Sequence, residues 1–282
     1  MKNRNYPQYI QEQILEVLKK ENLKSIADDK ESYFLSQNHL IGLYGKRYFL
    51  HHQSEISSGN FEVNNELFDD DKAEIQNEKI WKLSFDIKNC NDDLKLFLAN
   101  LYLFKPYIND PTLDKITIPS IPDLYFFSYN QNFSDWNYCS LVSCCFEKLY
   151  NYWDRIGDII SLYLNVFSEK DERKITFASV IDNLDRKGIY SNDENFKFLK
   201  SFKDNQFKDF NKTRKEVVHY NQFETTYRYD FIFKHQNDEE KIMEIWKWKK
   251  NMPEYFKNHL EISLLGYKHC FKFIEEQFNK NL

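Results

Sequence analysis

The sequence predicts a mainly α-helical protein, in which a smaller helical or α+β N-terminal region precedes a C-terminal up-down bundle of four to five helices. Glycine and proline are scarce, with 6 of each among 282 residues, whereas an all-β chain needs many turn residues. Apolar residues recur at helical spacing through most of the second half. The chain also lacks the glycine-rich loops of dinucleotide and P-loop folds, so helix is the default prediction.

A cluster of prolines marks the predicted boundary between the two regions. Four of the six prolines in the chain are Pro106, Pro111, Pro119 and Pro122. Proline lacks the backbone donor that helices and central strands need, so this cluster favours a linker or an extended crossing. We therefore predict an N-terminal region of unknown role over residues 1–132 and a helical bundle over residues 133–282.

The N-terminal region combines helical, polar and alternating segments. A helix is predicted over residues 7–24, because Pro7 suits the first turn of a helix. The polar stretch 51–79 predicts a loop or mobile segment. Apolar and polar residues alternate over 81–87, as in a short strand, and residues 92–104 predict a buried helix that opens with acidic side chains.

Successive cap and stop residues divide the second half into helices. The predicted caps and stops are Ser134 or Asp135, Gly188, Asn192 or Asp193, and Asn211 or Thr213. The predicted helical stretches are 136–167, 175–187, 194–202, 211–220 and 238–279, the last of which is interrupted at Pro253. Short connections between them are typical of an up-down bundle.

The cysteines and the N-terminus indicate where the protein works. The five cysteines are odd in number and form no CxxC pair, and the first ten residues lack the apolar core of a signal peptide. The most apolar run, residues 138–146, is too short to span a bilayer. We expect a reduced, cytoplasmic protein that does not enter the membrane.

The net charge of −5 does not by itself suggest a nucleic-acid partner, but the charge is uneven. Over residues 200–215 there are six cations and two anions, which gives a local balance of 6 − 2 = +4. A phosphate backbone responds to a local patch more than to the global sum. The alternative is that these residues form an ordinary solvated helix face.

The segment NKTRKEVVHYN contains an Arg and a His separated by four residues, Arg214 and His219. It resembles the signature of the HEPN superfamily (higher eukaryotes and prokaryotes nucleotide-binding). The long helix before the segment and the aromatic helix after it resemble the Cthe-type bacterial branch, over about residues 133–282. This resemblance implies a metal-independent endoribonuclease at a homodimer interface, acting as a toxin or in anti-phage defence.

The two motif residues suit metal-independent RNA cleavage. His titrates near pH ~6.5 and can move protons, while Arg presents a planar charged fork to phosphate oxygens. On an α-helix a five-residue step turns by about 140°. Residues of two protomers therefore converge more readily than those of one, as the resemblance implies. No metal-ligand set such as HExxH accompanies the motif, so we expect neither metal nor cofactor.

Further residues complete the predicted site. The resemblance implies an acidic residue on the long helix facing the pair, and Asp154 is our choice; a plain salt bridge is the alternative. A helix N-terminus at the motif would add partial positive charge for the phosphate. Side chains that we expect to contact RNA are Lys212, Lys215, Tyr220 and Asn221; for Tyr220 and Asn221 a core or cap role is the alternative.

Two function classes remain open at this point. The first is the endoribonuclease, with RNA as substrate and an antitoxin or regulatory protein as a candidate partner. The second is a non-catalytic HEPN module that binds RNA, nucleotide or protein. Many active members of the superfamily have Asn directly after the Arg, and here that residue is Lys215.

Overall fold

The computed structural model describes residues 6–25, 70–127, 131–164, 166–167, 175–220, 223–235 and 237–280. In these ranges the chain is mainly α-helical, with one two-stranded antiparallel sheet. The predicted fold class is therefore confirmed. No described helix combines the length and hydropathy that a membrane span requires.

The N-terminal elements differ from the sequence prediction at one long helix. Helix α1 is Tyr6–Lys20, as expected, and α2 is Asp70–Phe104. The strand predicted over 81–87 and the loop predicted over 70–79 are wrong, because both lie within α2; residues 51–69 lie outside the described ranges. The apolar stripe that α2 buries recurs every three or four residues: Ile87, Cys90, Leu94, Leu98 and Leu101.

The proline-rich segment forms short 3₁₀ turns and a hairpin. The 3₁₀ turns are Lys105–Tyr107 and Pro111–Asp114. Strand β1 is Lys115–Ile118 and pairs antiparallel with β2, Ile121–Phe127. Proline therefore ends α2 and confines the strands to a small two-stranded ribbon, whose last residue, Phe127, is buried.

The first helix after the hairpin begins at a capped N-terminus. Helix α3 is Phe133–Leu164. Its N-cap is Asn132, whose Oδ1 accepts the Asp135 amide at 2.9 Å, while Asp135 Oδ2 accepts the Asn132 amide. The cap thus lies two or three residues before the predicted Ser134 or Asp135, and Asp135 is its reciprocal partner.

The next two helices lie within the predicted stretches 175–187 and 194–202, and the predicted stop at Gly188 and cap at Asp193 are confirmed. Helix α4 is Phe177–Lys187 and ends at Gly188, whose φ of 69° favours glycine. Helix α5 is Glu194–Phe202, capped by Asp193 Oδ1, which accepts two backbone amides at 2.9 and 3.0 Å. Both signals depend on local geometry alone, which is why the sequence reveals them.

The chain stays helical from α5 through the Arg/His motif. A π segment, Lys203–Phe207, leads into α6, Lys208–Arg214, and a second π segment covers Lys215–Tyr220. The predicted helix start at Asn211 or Thr213 is therefore wrong. The Thr213 hydroxyl instead donates to the Asp209 carbonyl, 3.2 Å away and inside the same helix.

Three more helices and one π segment follow in the described part of the chain. Helix α7 is Phe223–Tyr229, followed by a π segment, Asp230–Lys234. Helix α8 is Glu239–Lys250 and α9 is Met252–Lys280. Pro253 lies in the first turn of α9, so the predicted interruption falls at Asn251, just before the proline.

The chain divides into two compact units. Unit 1 contains residues 1–24, 92–150 and 209–261, and unit 2 contains 25–91, 151–208 and 262–282. The core of unit 2 is aromatic: the Trp153 ring stacks on Phe202 at 4.0 Å and contacts Phe177 at 4.8 Å. Gly266 of α9 lies so close to Trp153 that a methyl group at position 266 would clash with the indole ring. The glycine therefore leaves room for one of the largest fully buried side chains.

Unit 1 contains a buried ion pair between α3 and α8. Lys249 Nζ lies 2.7 Å from Asp135 Oδ1, and both side chains are 3% exposed. The ammonium also lies 4.4 Å from the centre of the Tyr227 ring, and Asp135 Oδ2 accepts the Asn109 amide. These added contacts satisfy the buried charges, which would otherwise be costly to desolvate.

Candidate functional site around Arg214

Arg214 is a buried cation stacked on an aromatic ring. Its guanidinium carbon lies 3.6 Å from the centre of the Tyr150 ring, and the residue is 9% exposed. Its Nε is buried and has no hydrogen-bond partner among the described residues. Stacking uses the face of the guanidinium, so the ring holds the cation without consuming its in-plane donors.

Helices α3 and α6 meet through two contacts that are one helical turn apart. Phe146 stacks on Phe210 with ring centres 5.7 Å apart and an angle of 25°. Four residues later on both helices, Tyr150 meets Arg214. Residues four apart share a helix face, so the Phe146–Phe210 pair fixes the spacing at which Tyr150 and Arg214 meet. Both contacts lie within unit 1.

The motif lies on a π segment. Arg214 ends α6, and Lys215–Tyr220 has π geometry, in which each N–H bonds to the carbonyl five residues earlier. Positions five apart are then nearly superposed, as positions four apart are in an α-helix. The 140° offset expected for positions 214 and 219 assumed α geometry, and the π segment reduces it.

A helix N-terminus is not part of this site, contrary to expectation. Arg214 follows twenty residues of continuous helical backbone that begin at Glu194. Its neighbouring amides therefore lie inside a helix and are used in helical hydrogen bonds. The positive charge near the motif comes from side chains instead.

The positive stretch 200–215 is only partly available to a ligand. Lys200 pairs with Asp204 at 2.7 Å, and Lys203 pairs with Asp182 and Asp204. The hydrogen bond that the Lys200 ammonium donates to the Asp204 carboxylate raises the pKa of Lys200. Lys212 and Lys215 are exposed and have no ion pair within the described part of the chain. Within the part of this stretch that belongs to unit 1, the cations left for a phosphate backbone are thus Lys212 and Lys215, which lie within two residues of Arg214 in sequence.

Another histidine of unit 1, His259, packs against the Phe146–Phe210 pair. The ring of His259 lies 5.4 Å from Phe210 and 4.5 Å from Tyr255. Burial lowers the pKa of His259 to about 4, so the ring is neutral at pH 7. It packs as a core residue and does not serve as a cation for the site.

The family comparison gives this helical chain its assignment. The model of the Cthe2314-like HEPN family matches residues 87–275, which is 189 of the 282 residues. The chain belongs to the Cthe2314-like HEPN family. No curated protein and no solved structure matches it.

The HEPN match begins earlier than the resemblance read from the sequence, which started at about residue 133. It starts at residue 87 and so takes in about the second half of α2, the hairpin and the later helices as far as residue 275 of α9. The boundary between residues 132 and 133 stays a prediction. Family membership supports a nucleotide-binding or ribonuclease-type module.

Among the predicted HEPN site residues, Asp154 is found in unit 2, whereas Arg214 belongs to unit 1. Its Oδ1 accepts the Phe177 amide at 3.1 Å and so supports the first turn of α4. A role beside Arg214 stays a prediction. The side chains of His219 and Tyr220, and the whole of Asn221, lie outside the described residues. Within the described part of the chain, no group of three or more His, Cys, Asp or Glu could hold a metal ion.

Tyr150 is the residue of this HEPN site that the sequence did not single out. It lies in the stretch EKLYNYWD among other aromatic residues that are simply core, such as Tyr152 and Trp153. The available signal is the shared four-residue spacing of Phe146 to Tyr150 and Phe210 to Arg214. That signal becomes usable only when the pairing of α3 with α6 is known.

Proposed function

We propose that this HEPN protein is a metal-independent endoribonuclease that acts as a toxin or anti-phage effector, with Arg214 and His219 as catalytic residues. The observation that carries the proposal is the stacking of Arg214 on Tyr150, with Nε unmatched among the described residues. An unmatched buried donor costs about 1–3 kcal/mol, so this arginine is not arranged for stability alone. Family membership supports the same class of activity.

The proposed chemistry uses the 2′-hydroxyl of the RNA as nucleophile. His219 takes or returns the proton, the 2′-oxygen attacks the adjacent phosphorus, and the 5′-oxygen leaves with a proton. Arg214 stabilises the charge that develops on the phosphorane oxygens, and Tyr150 holds the guanidinium in place. Lys212 and Lys215 bind the flanking phosphates through exposed ammonium groups. Tyr220, Asn221 and Asp154 remain proposed contacts of this site.

We further propose that the active form is a homodimer in which the motifs of both protomers line one cleft. The π segment brings positions 214 and 219 of each protomer towards one side of the helix, so the dimer proposal is supported by HEPN membership and no longer by a 140° offset. A two-fold arrangement then presents two cations and two imidazoles to one strand. Sedimentation at micromolar concentration should give a dimer; a strict monomer with full activity contradicts this part.

A non-catalytic HEPN module is the second candidate. Lys215 favours it, because many active superfamily members have Asn at that position. In that case Arg214 and the adjacent lysines bind RNA, nucleotide or a protein partner without proton transfer. An antitoxin or regulatory protein is compatible with either candidate.

Incubation of purified protein with a mixed-sequence RNA in EDTA tests the proposal. We expect cleavage by the wild type and a loss of about 10²–10⁴-fold in rate for His219→Ala, the usual contribution of acid–base catalysis. Lys187→Ala, on an exposed helix end in unit 2, is the control and should retain activity. RNA binding without cleavage, with or without EDTA, supports the binding module instead.

A further inference from the structure

Unit 1 contains an open cleft of about 560 Å³ at the junction of α8 and α9, away from the Arg/His motif in sequence. Its volume lies within the range of about 300–1,000 Å³ that is usual for small-molecule sites. Three lysines line it, Lys105, Lys247 and Lys250, with the aromatic side chains of Trp248 and Tyr255. Cations beside exposed aromatic rings are the combination that single-stranded nucleic acid requires.

Two of these lysines are available for an anion. Lys105 forms an ion pair with Glu254 at 3.2 Å, so its positive charge is largely neutralised by that carboxylate. Lys247 is exposed and Lys250 half-buried, and neither has an ion pair within the described ranges. The Lys250 ammonium lies 4.4 Å from the centre of the Trp246 ring, which limits its motion without neutralising it.

Trp248 offers a flat apolar surface to solvent. It is 41% exposed, and its ring stacks on Phe223 with centres 5.1 Å apart and an angle of 29°. One face of the indole is thus supported by the protein while a large part of the ring remains accessible. A base stacked on such a ring contributes about 1–3 kcal/mol whatever its identity.

A purely structural explanation covers only part of this arrangement. Lysines in the last turn of α8 complement the negative end of its dipole, which accounts for their charge. That explanation does not require an exposed indole between them or a cleft of this size. At the junction the negative C-terminal end of α8 meets the positive N-terminal end of α9, so the two helix dipoles largely cancel. Side-chain cations therefore supply the attraction for an anion.

We propose that this cleft binds a nucleotide of single-stranded RNA, with its base on Trp248 and its phosphates against Lys247 and Lys250. The inference rests on the proposed function, since it takes RNA as the ligand. Tyr255 lines the cleft, and the centre of its ring lies 5.9 Å from that of Phe146. Phe146 is one turn before Tyr150 on α3. The cleft and the Arg214–Tyr150 contact therefore share one aromatic core.

Fluorescence anisotropy with a labelled 12-nucleotide RNA tests the inference, using the full chain carrying His219→Ala so that binding is measured without cleavage. We compare Lys247→Gln/Lys250→Gln and, separately, Trp248→Leu with the parent. The matched control is Lys19→Gln/Lys20→Gln, which removes the same charge from the exposed end of α1. Thermal melts verify that each variant is folded.

We expect the lysine pair variant to weaken binding about tenfold or more and to lower the slope of log K against log salt by about 1.4, or ~0.7 per phosphate contact. Trp248→Leu should weaken binding about tenfold with the slope unchanged, because stacking releases no counterions. The control should change affinity less than about twofold.

Equal affinity of the cleft variants and the control overturns the inference. Competition by a mononucleotide at the same concentration as the 12-nucleotide RNA also overturns it, since the site would then recognise free nucleotide. Cleft-dependent binding without any cleavage by the wild type supports the inference while refuting catalysis. Cleavage by the wild type, together with binding that does not depend on the cleft, refutes the inference while supporting catalysis.

Discussion

The guanidinium of Arg214 lies 3.6 Å from the centre of the Tyr150 ring, one helical turn beyond the stacked pair of Phe146 and Phe210. This contact orients the only arginine of the motif from a second helix. The position of the cation is therefore set by packing between α3 and α6 as well as by its own backbone. An arginine held in this way loses less freedom when it binds a phosphate.

Tyr150→Leu should lower kcat about 2- to 30-fold with little change in KM, because it removes a cation–π contact worth about 0.5–2 kcal/mol. Tyr150→Phe keeps the ring and should retain activity. Steady-state cleavage kinetics, with a melting curve for each variant, separate positioning from stability. A folded Tyr150→Leu protein with full kcat would refute the positioning role.

Arg214→Ala should be about as damaging to cleavage as the loss of His219, since charge stabilisation is removed from the transition state. Arg214→Lys should recover only part of the rate, because an ammonium lacks the planar fork and stacks poorly on Tyr150. Single-turnover rates measure both. Full rescue by lysine would mean that point charge alone suffices.

Lys249→Met should destabilise the protein by about 3–5 kcal/mol, because it leaves the carboxylate of Asp135 buried and without its cation. Lys247→Met, two residues earlier on the exposed side of α8, is the matched control and should change the free energy of unfolding by less than about 0.5 kcal/mol. Urea unfolding measures both. Equal stability of the two variants would contradict the burial of this pair.

Stability should fall as the pH is lowered from 7 to 5, in part through His259. Burial holds the pKa of His259 at about 4 in the folded state, against about 6.5 when unfolded. Below pH 6.5 the unfolded chain binds a proton that the folded chain does not, so this residue contributes a loss of about 2 kcal/mol by pH 5. His259→Phe should show a correspondingly flatter profile in urea unfolding. A profile as steep as that of the wild type would mean that His259 titrates normally.

The sequence predicts those parts of the fold that depend on local signals. Gly188 and Asp193 mark a helix end and a helix start because their backbone and side-chain geometry is decided within a few residues. The alternation over 81–87 misled because tertiary packing buries Ile87 together with Leu94 and Leu98 of the same helix, while Phe85 stays 48% exposed.

The site is only partly predictable for a physical reason. The RKEVVH segment identifies Arg214 and His219, and its family is confirmed. Nothing in the amino-acid sequence predicts a π segment. The relative direction of positions 214 and 219 was therefore expected from α-helix geometry. Tyr150 comes from a distant part of the chain and has no mark of its own among the aromatic residues of α3.

In the proposed mechanism the RNA supplies its own nucleophile to a site built on Arg214 and His219. The most direct measurement uses one RNA and its fully 2′-O-methylated counterpart in EDTA, followed by analysis of the product ends. We predict that the unmodified RNA yields a 2′,3′-cyclic phosphate, or the 3′-phosphate formed from it, and a 5′-hydroxyl, while the methylated RNA resists. Cleavage of the methylated RNA, or products with a 5′-phosphate, would contradict this mechanism.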